Sequence, residues 1–399
     1  MTIPPDIVCV SLTTWAGEYT TSTGQLMAEL ARRHRVLFVN YAPTLKDVYG
    51  QWRGQKRLPT GSGGRETLTT VFLPHGGTLH VLTPPWVLPI NPLPPGRVYD
   101  ALLAFNVARI GGSIRRATRR LGFEKPVVIN ALHPTVGRGL LGRLGERATV
   151  YYGYDEISAE TWSKAHGVPA EREFLPKADA VVVSSAGLLE RKKPLNPRTF
   201  LVENGVDFDL FHRAYPRPPR PVPTVGYLGA VDNRLDADLL EACFVRFPDV
   251  RFVFIGRVPE AGLRERFGRY ANVAFTGPKP PSELPDLVRQ MDVGLIPFVK
   301  NEQTRAIYPL KINEYLAAGL PVVTTRFAEL GAFEGVVRVV DSVGEFLEAV
   351  RESLSENDLE IELRRIAVAR GNSWARRGEA LEGVLERMFN VQRSIFNVQ

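Results

Sequence analysis

Lys311 and Glu314 stand three residues apart at the start of a predicted helix, in the stretch "AIYPLKINEYLAAGLPVV" (residues 306–323). Pro309 suits the first helical position, and the Gly-Leu-Pro after the helix predicts its end. Lys311 therefore falls in the first turn, where a cation opposes the helix dipole by roughly 0.3–1 kcal/mol. A bound phosphate would reverse this penalty, because the helix N–H groups and the lysine would contact the same anion.

The same spacing has a structural alternative. Residues at positions i and i+3 share one helix face, so Lys311 and Glu314 could simply form an ion pair worth about 0.2–0.5 kcal/mol. We favour anion binding, because further cations, Arg257, Lys279 and Arg305, follow neighbouring predicted strands. The helix is thus predicted to receive a phosphorylated ligand.

Two α/β domains are predicted to position this helix. Apolar runs from "DIVCVSL" to "TFLVENG" alternate with helical patterns, and the alternation restarts at "TVGYLGA". Between them, "HRAYPRPPRPVP" holds too much proline for a helix or a central strand. We predict an α/β domain over residues 1–211, a proline-rich linker over 212–223, a second α/β domain over 224–372 and a C-terminal helix over 373–399. Residues 49–95, rich in Gly and Pro, are predicted to be irregular, as a lid, a binding loop or a disordered segment.

Bulk features limit the class of protein. The 399 residues are 44% hydrophobic and 23% charged, which is typical of a globular chain of two or three domains. No run reaches the ~18 apolar residues of a membrane span, and the N-terminal sequence lacks the pattern of a signal peptide. Cys9 and Cys243 lie in separate apolar runs and are predicted to be reduced core thiols. We therefore expect a cytoplasmic protein.

The net charge of +7 lies in the first half of the chain, because residues 211–399 hold equal numbers of acidic and basic side chains. Its densest part consists of four arginines at helical spacing, Arg115, Arg116, Arg119 and Arg120. They form either a solvated helix face or a surface attracted to anionic lipid headgroups or an anionic acceptor. The second alternative implies peripheral contact with the inner face of the cell membrane. Nucleic acid is not expected as a partner, because no aromatic platform accompanies the arginines.

Other catalytic patterns give little support to rival chemistries. Asp236 and Asp238 mimic an Asp-x-Asp metal motif, but at a predicted helix start they more simply complement the dipole. No Gly-x-Gly-x-x-Gly follows the first strand, and the sequence contains no Walker A, His-Glu-x-x-His or Gly-x-Ser-x-Gly motif. The sequence therefore argues against dinucleotide-dependent oxidoreductases, ATPases and common hydrolases. No metal and no cofactor are predicted.

Residues that follow predicted strands are candidate ligands. In parallel sheets, ligands bind beyond the carboxyl ends of the strands, and with two such domains the predicted site is the cleft between them. In the first domain, His133 follows a predicted strand, and it is either a functional group or a structural cap. Asp155 and Glu156 follow the next strand, where a structural role is favoured over orienting an acceptor hydroxyl.

Several segments of the second domain resemble the group 1 glycosyltransferases, the retaining GT-B enzymes of family 4. These are "YPLK" with "NEYLAAGLPVV", "FLVENGVDFDLF", "VGYLGA" and "NVAFTGPKPPSELPDLVRQMDVGLIPF", which together cover about 200–330. Within that family, the chain is similar to enzymes that build bacterial surface polysaccharides, such as the teichuronic acid type. The resemblance implies an α/β fold with two Rossmann-like domains facing a cleft, the GT-B architecture, and a C-terminal helix that packs back toward the first domain.

The resemblance also implies roles for individual residues. Glu314 would accept the ribose hydroxyls of a sugar nucleotide, while Lys311 and the amides at Leu310 and Lys311 would hold the diphosphate. Gly229 would let the chain pass close to the phosphates. Contacts to the base would come from the turn that contains Thr276, Gly277 and Lys279.

Two further assignments follow from the resemblance. Arg234 is the nearest match to a basic residue that the family places after the glycine, and Arg257 is also available. His133 resembles a histidine that the family often places near the transferred sugar. One departure is clear, because Ala306 stands where the family usually has the first of two glutamates. Its contact to the sugar would be missing, or supplied by Glu302 or Thr304.

The implied function is transfer of a hexose-type sugar from a nucleoside diphosphate sugar to a glycan or lipid-linked acceptor, with retention. A UDP-sugar is the first expectation for the donor, and GDP- and dTDP-sugars are alternatives. Two rival functions remain open. One is a catalytically idle sugar-nucleotide binder in a polysaccharide assembly complex, suggested by Ala306. The other is an epimerase or phosphorylase of the same fold.

Overall fold

The computed structural model describes residues 4–15, 21–53, 64–74, 76–159, 163–218 and 220–396. The chain divides into two compact units, Met1–Glu203 with Gly378–Gln399 and Asn204–Arg377. Each unit contains one β-sheet and a buried hydrophobic core. Among the described residues, no helix is both long and apolar enough to cross a membrane.

The first unit alternates strands and helices. Its elements are β1 (Ile7–Ser11), α1 (Ser22–Leu30), β2 (Val36–Val39), α2 (Leu45–Trp52), β3 (Thr67–Phe72), β4 (Thr78–Thr83), α3 (Arg97–Leu121), β5 (Val127–Ala131), α4 (Pro134–Leu140), β6 (Ala148–Gly153), α5 (Gly167–Phe174), β7 (Ala180–Val183), α6 (Ala186–Lys192) and β8 (Thr199–Leu201). The strands lie in the order β3-β4-β2-β1-β5-β6-β7-β8. All neighbours are parallel except β3, which runs antiparallel to β4 at the edge.

The six apolar runs of the first domain are confirmed as strands. Five of them are buried along their whole length, because helices cover both faces of a parallel sheet and leave no solvated side. The sixth, β8, lies at the edge of the sheet and is buried only at Thr199. The predicted irregular region 49–95 is wrong in part, since β3 and β4 lie within it. The antiparallel edge strand β3 is largely exposed, so its residues lack the apolar alternation that signals a strand.

The second unit has a six-stranded parallel sheet in the order β11-β10-β9-β12-β13-β14. Its elements are α7 (Phe208–His212), β9 (Thr224–Leu228), α8 (Ala237–Arg246), β10 (Arg251–Ile255), α9 (Ala261–Phe267), β11 (Val273–Phe275), α10 (Leu284–Val288), β12 (Val293–Ile296), α11 (Glu302–Arg305), α12 (Leu310–Ala317), β13 (Val322–Thr325), β14 (Arg338–Val340), α13 (Val343–Leu354) and α14 (Leu359–Gly371); α15 (Trp374–Phe396) follows. Numbered within this unit, the strand order is 3-2-1-4-5-6, the order of a Rossmann fold.

The proline-rich segment 212–223 lies against the second unit, although we predicted a linker there. His212 Nδ1 lies 2.9 Å from the carbonyl oxygen of Ala317, and the Arg217 guanidinium donates to the carbonyls of Ala318 and Met291. Proline prevents regular structure in this segment, but its intervening side chains still contact the unit. The unit boundary falls at residue 203, earlier than the predicted residue 211.

The long helix α15 begins at Trp374, and residues from Gly378 onward belong to the first unit. Glu382 of this helix accepts a hydrogen bond from Arg33 at 2.7 Å, and the Arg147 guanidinium lies 3.7 Å from the centre of the Phe389 ring. The C-terminal helix therefore packs on the first unit, as predicted. Residues 397–399 lie outside the described part of the chain.

Candidate functional site

Strand order places a candidate site at the ends of β9 and β12. The chain leaves β9 toward β10 on one side of the sheet, and the strands from β12 onward continue on the other side. Such a switch in direction opens a crevice beyond the carboxyl ends of the two central strands. Gly229 follows β9 directly, and α12 lies between β12 and β13 along the chain. The predicted residues Gly229, Lys311 and Glu314 thus belong to elements that border this crevice.

The start of α12 has no side-chain cap. The helix begins at Leu310 and not at Pro309, which occupies the N-cap position and has no oxygen on its side chain. By contrast, α8, α13 and α14 begin at capping side chains, those of Asp236, Ser342 and Asp358. The first N–H groups of a helix have no intrahelical partner. The α12 start therefore presents amides at Leu310 and Lys311 and the positive end of its dipole.

A buried tyrosine connects α12 to β9. The Tyr315 hydroxyl oxygen accepts the backbone N–H of Leu228 at 2.7 Å. β12 pairs with β9 only at Val225 and Gly226. The Leu228 N–H therefore lies beyond the last β9 residue that pairs with β12. The Tyr315 ring is fully buried, and a Cβ added at Gly294 would lie 2.5 Å from it. This contact fixes the start of α12 relative to the turn at Gly229.

Lys311 and Glu314 form the ion pair that the structural alternative predicts. Lys311 Nζ lies 3.2 Å from Glu314 Oε1 and 3.1 Å from Oε2. The Lys311 side chain is 32% exposed and that of Glu314 is 13% exposed. Glu314 Oε2 is buried, and apart from the Lys311 ammonium 3.1 Å away it has no hydrogen-bond partner among the described residues. The pair thus holds a cation at the helix start beside a carboxylate oxygen that still has hydrogen-bonding capacity.

Two glycines let the turns after β9 and β10 approach each other. Gly229 and Gly256 have φ values of +140° and +152°, in the region that disfavours other residues. A Cβ at Gly256 would lie 2.0 Å from the carbonyl oxygen of Gly229. Neither turn could keep this backbone path with a larger residue at Gly256. We predicted that Gly229 lets the chain pass close to phosphates. A second glycine, Gly256, which the sequence did not single out, lies against the Gly229 turn.

Arg234 is already paired by its own loop. Its guanidinium donates to both carboxylate oxygens of Asp232, at 2.8 and 2.7 Å, and lies 5.7 Å from the centre of the Phe298 ring. Its carbonyl accepts the N–H of Val299 at 2.8 Å, which joins the β9 loop to the β12 loop. The structure therefore brings Arg234 to the crevice, but with its charge balanced by Asp232.

The other predicted contacts lie along the same edge of the sheet. Arg257 follows Gly256, and its carbonyl accepts the N–H of Val231 at 2.8 Å. Thr276 follows β11, two strands from β9 and hence about 10 Å away. Gly277 has a φ of +72°, and Lys279 Nζ lies 3.8 Å from Glu283 Oε2. Thr276 also lines a cavity of about 290 Å³ beside β10.

The segment before α12 contains Ala306, where the family usually has a glutamate, and Thr304, one candidate to replace that glutamate. Ala306 is 1% exposed, so a longer side chain there would have to displace packed neighbours. The Thr304 hydroxyl is buried and donates to the carbonyl of Val299 at 2.6 Å, while its amide completes the cap of α11 at Asn301. The Thr304 hydroxyl therefore already has a structural role, which disfavours the alternative in which it contacts the sugar. Glu302 lies exposed in the first turn of α11.

His133 occupies the corresponding position in the first unit, after β5 at the switch between β1 and β5. Its amide donates to Asn130 Oδ1 at 3.1 Å, and its ring lies 5.7 Å from that of Tyr41. Burial lowers the pKa of His133 from 6.5 to about 4. The imidazole is therefore neutral near pH 7 and can exchange hydrogen bonds without carrying a charge.

Glu156 is structural, as the sequence favoured. Its carboxylate accepts from the Ser158 amide and hydroxyl and lies 3.4 Å from Lys192 Nζ. Burial alone would raise the pKa of Glu156, but Lys192 and the Ser158 hydrogen bonds outweigh it and lower the pKa. The second acidic pair, Asp236 and Asp238, starts α8, where Asp236 accepts the Leu239 amide. Among the described residues, no group of three or more His, Cys, Asp or Glu could hold a metal ion.

Comparison with known proteins finds relatives of part of the chain. Residues 222–356 match the family described as Glycosyl transferases group 1. A Bacillus subtilis (strain 168) protein named as a teichuronic acid biosynthesis glycosyltransferase, TuaH, is 30% identical over 223 residues. That alignment covers 51% of this chain and 56% of the relative, so the chain spans little more than half the relative's length.

Solved structures resemble nearly the whole chain. Sucrose-phosphate synthase from Thermosynechococcus elongatus has a TM-score of 0.63 at 15% identity, over 99% of this chain and 100% of its own. A UDP-forming α,α-trehalose-phosphate synthase from Burkholderia xenovorans has a TM-score of 0.67 at 12% identity, over 96% and 100%. The Anabaena protein HepE, in complex with UDP and glucose, has a TM-score of 0.61 at 14% identity, over the same shares. The chain thus has the GT-B fold of two Rossmann-like domains. Residues 222–356 resemble the group 1 glycosyltransferases, and about half of the chain resembles the teichuronic acid type.

Proposed function

We propose that this protein transfers a hexose-type sugar from a nucleoside diphosphate sugar to a glycan or lipid-linked acceptor in cell-surface polysaccharide biosynthesis. The family match over residues 222–356 supports glycosyl transfer, and the name of the B. subtilis relative supports the biosynthetic role. A UDP-sugar is the preferred donor, since a UDP-forming enzyme and a UDP complex are among the similar structures. The stereochemistry proposed, retention, rests on the family resemblance.

The observation that carries the proposal is the contact between Tyr315 and Leu228. It links α12, whose start has no side-chain cap, to the end of β9 next to Gly229. On this proposal the amides at Leu310 and Lys311, the helix dipole and the Lys311 ammonium would all face the same ligand. A diphosphate is the group that suits this arrangement, because it carries charge and many acceptor oxygens. A structural Lys–Glu pair alone would not require an uncapped helix start or glycines in both neighbouring turns.

The proposed chemistry is stabilisation of a leaving group. The bond from the anomeric carbon to the diphosphate oxygen breaks, and its electron pair leaves with the nucleoside diphosphate. The acceptor hydroxyl forms the new bond and releases its proton. Lys311 and the amides at Leu310 and Lys311 then face the increased charge on the diphosphate, a preorganised contribution that needs no nucleophile from the protein.

The remaining residues would bind the ends of the donor. Glu314 would accept the ribose hydroxyls through Oε2, which has hydrogen-bonding capacity. Thr276, Gly277 and Lys279, about 10 Å further along the sheet, would contact the base. Arg234 and Arg257 would add positive potential at the phosphates, although Arg234 would first have to loosen its contact with Asp232. Neutral His133 would hydrogen-bond the sugar or the acceptor.

Calorimetric titration with UDP, GDP, dTDP and ADP and their sugars tests the donor site. We expect one nucleoside diphosphate to bind with micromolar affinity and the others at least tenfold more weakly. The absence of saturable binding by any of the four would contradict the proposal. Turnover is then followed as release of the nucleoside diphosphate, with and without lipid-linked and free glycan acceptors.

The buried Ala306 supports one second candidate, a sugar-nucleotide binder without catalysis. That candidate predicts tight binding of the nucleotide sugar and no release of the diphosphate with any acceptor. Release that depends on an acceptor excludes it. Hydrolysis or epimerisation of the donor without an acceptor would instead identify another enzyme of the same fold.

A further inference from the structure

Helix α2 of the first unit has an exposed apolar face. None of its residues is buried, and Leu45, Tyr49 and Trp52 are 39%, 56% and 82% exposed. Their spacing of i, i+4 and i+7 places the three side chains on one face of the helix. A single exposed apolar residue is ordinary, but three in one stripe form a patch that needs an explanation.

The helix is held in place by polar contacts rather than by burial of this face. Thr44 and Asp47 form a capping box, and the Leu45 amide donates to the carbonyl of Val87 at 2.9 Å. Two cations accompany the stripe. Lys46 lies on the same helix, and Arg53 ends it with its guanidinium 5.7 Å from the centre of the Tyr49 ring.

The surface continues onto α3 through Trp86, the neighbour of Val87. The Arg109 guanidinium lies 4.2 Å from the centre of the Trp86 ring and 5.6 Å from that of Phe105. Phe105 is 44% exposed on α3, and Val98, seven residues earlier on the same face, is 68% exposed. The stripe on α3 therefore begins with apolar side chains.

Further along α3 the same stripe becomes basic. Arg116 lies eleven residues beyond Phe105 and pairs with Glu66. Glu66 is close in sequence to Gly64, whose backbone carbonyl accepts the Trp86 amide. Arg115, Arg119 and Arg120 are exposed beside it. These contacts connect α2 with α3, and their exposed side chains include three apolar residues of α2, two of α3 and the densest cluster of arginines in the chain.

We propose that this surface, formed by α2 and the exposed stripe of α3, docks the protein on an anionic lipid bilayer. Leu45, Tyr49 and Trp52 enter the boundary between headgroups and acyl chains, where aromatic rings with a polar edge are stable. The arginines remain at the level of the anionic headgroups. This inference does not depend on the proposed glycosyl transfer.

The experiment is co-sedimentation of the full chain with phosphatidylglycerol–phosphatidylcholine vesicles and with pure phosphatidylcholine vesicles. We expect at least tenfold stronger binding to the anionic vesicles. The Tyr49→Ser/Trp52→Ser double variant should lose at least tenfold in that affinity. The matched control is Leu359→Ser, which changes a 61% exposed residue of α14 and should bind like the wild type. Because Trp52 is 82% exposed, its substitution should leave the thermal unfolding of the protein unchanged.

Two further variants distinguish insertion of the Trp52 side chain into lipid from attraction between the arginines and the anionic headgroups. Trp52→Phe should bind vesicles within about twofold of the wild type but lose part of the fluorescence quenching caused by brominated lipid. Arg119→Gln should weaken binding to anionic vesicles about fivefold and leave binding to phosphatidylcholine unchanged.

Equal binding to both kinds of vesicle, or full binding by the double variant, would overturn the proposal. So would a dimer in sedimentation velocity that the double variant abolishes, since a second copy of the chain would then cover the face.

Discussion

The hydroxyl oxygen of Tyr315 accepts the backbone N–H of Leu228 at 2.7 Å, inside a fully buried environment. Glu314 precedes this tyrosine and Gly229 follows this leucine, so one hydrogen bond determines how the start of α12 faces the turn after β9. Burial raises the pKa of Tyr315 well above its ordinary value, so the hydroxyl stays neutral. The contact therefore positions the two elements proposed to hold a diphosphate.

Tyr315→Phe should destabilise the protein and weaken nucleotide binding together. Removing the hydroxyl leaves a buried N–H without its partner, which costs about 1–3 kcal/mol in the free energy of unfolding. We expect UDP affinity to fall as well, because the Gly229 turn loses its connection to α12. Urea unfolding and calorimetry measure the two effects.

Tyr151→Phe is the matched control for this change. Its hydroxyl is also buried and donates to Glu171 at 2.7 Å, but in the first unit. It should lower stability without changing UDP affinity. Equal losses of affinity in the two variants would show that general destabilisation, and not the contact to Leu228, affects the site.

Lys311 and Glu314 should contribute to different parts of the ligand. Lys311→Ala should weaken UDP binding by roughly 1.5–3 kcal/mol, the range for a hydrogen bond to a charged group. It should weaken pyrophosphate binding similarly. Glu314→Gln should weaken binding of UDP but not of pyrophosphate, because its proposed partners are ribose hydroxyls. Calorimetric titration of both ligands separates the two roles.

The control for these variants is Arg351→Ala, which breaks an exposed pair at i,i+3 spacing with Glu348 on α13. Such a solvent-exposed pair contributes little to stability and should not affect either ligand. If Lys311→Ala behaves like Arg351→Ala, the ion pair is all that Lys311 provides.

The close approach of the turns at Gly229 and Gly256 predicts opposite effects on stability for two Gly→Ala variants. Gly256→Ala should destabilise the protein by at least about 1–3 kcal/mol, since φ is +152° and the new Cβ would lie 2.0 Å from the Gly229 carbonyl oxygen. Gly262→Ala, in α9 with open space around it, should stabilise the protein by about 0.5–1 kcal/mol. Urea unfolding compares the two variants, and destabilisation of both by similar amounts would contradict the argument.

The sequence predicted the parallel strands well, because strands covered on both faces appear as apolar runs such as Val127–Ala131. It missed β3, whose exposed edge position removes that pattern. It located α12 within one residue, since Gly319 marks the end of the helix clearly. Periodicity therefore sufficed for buried elements and failed where solvent covers one side.

Contacts in the candidate site could not be predicted in the same way. Tyr315 and Leu228 are 87 residues apart. No local sequence pattern indicates that a side-chain hydroxyl, and not a neighbouring strand, accepts the Leu228 N–H. The family resemblance suggested Arg234 as a cation for the phosphates, but no sequence pattern indicated that Asp232 pairs with it. Likewise, the burial of Thr304 depends on how its loop folds against Val299. Residue types indicate the chemistry that is available, whereas packing determines which groups are already paired.

His133 should make stability depend on pH between about 4 and 6.5. Its pKa is about 4 in the folded protein and 6.5 ordinarily, so between these values the unfolded chain binds a proton that the folded protein does not. The free energy of unfolding should therefore fall as the pH is lowered through this window, by at most about 1.4 kcal/mol per pH unit from this group. Urea unfolding of the wild type and of His133→Gln between pH 4.5 and 7 isolates the effect, because the two proteins share every other titrating group. The difference in stability between them should shift in favour of the variant as the pH falls, whereas parallel profiles would mean that the imidazole titrates normally and is accessible to solvent.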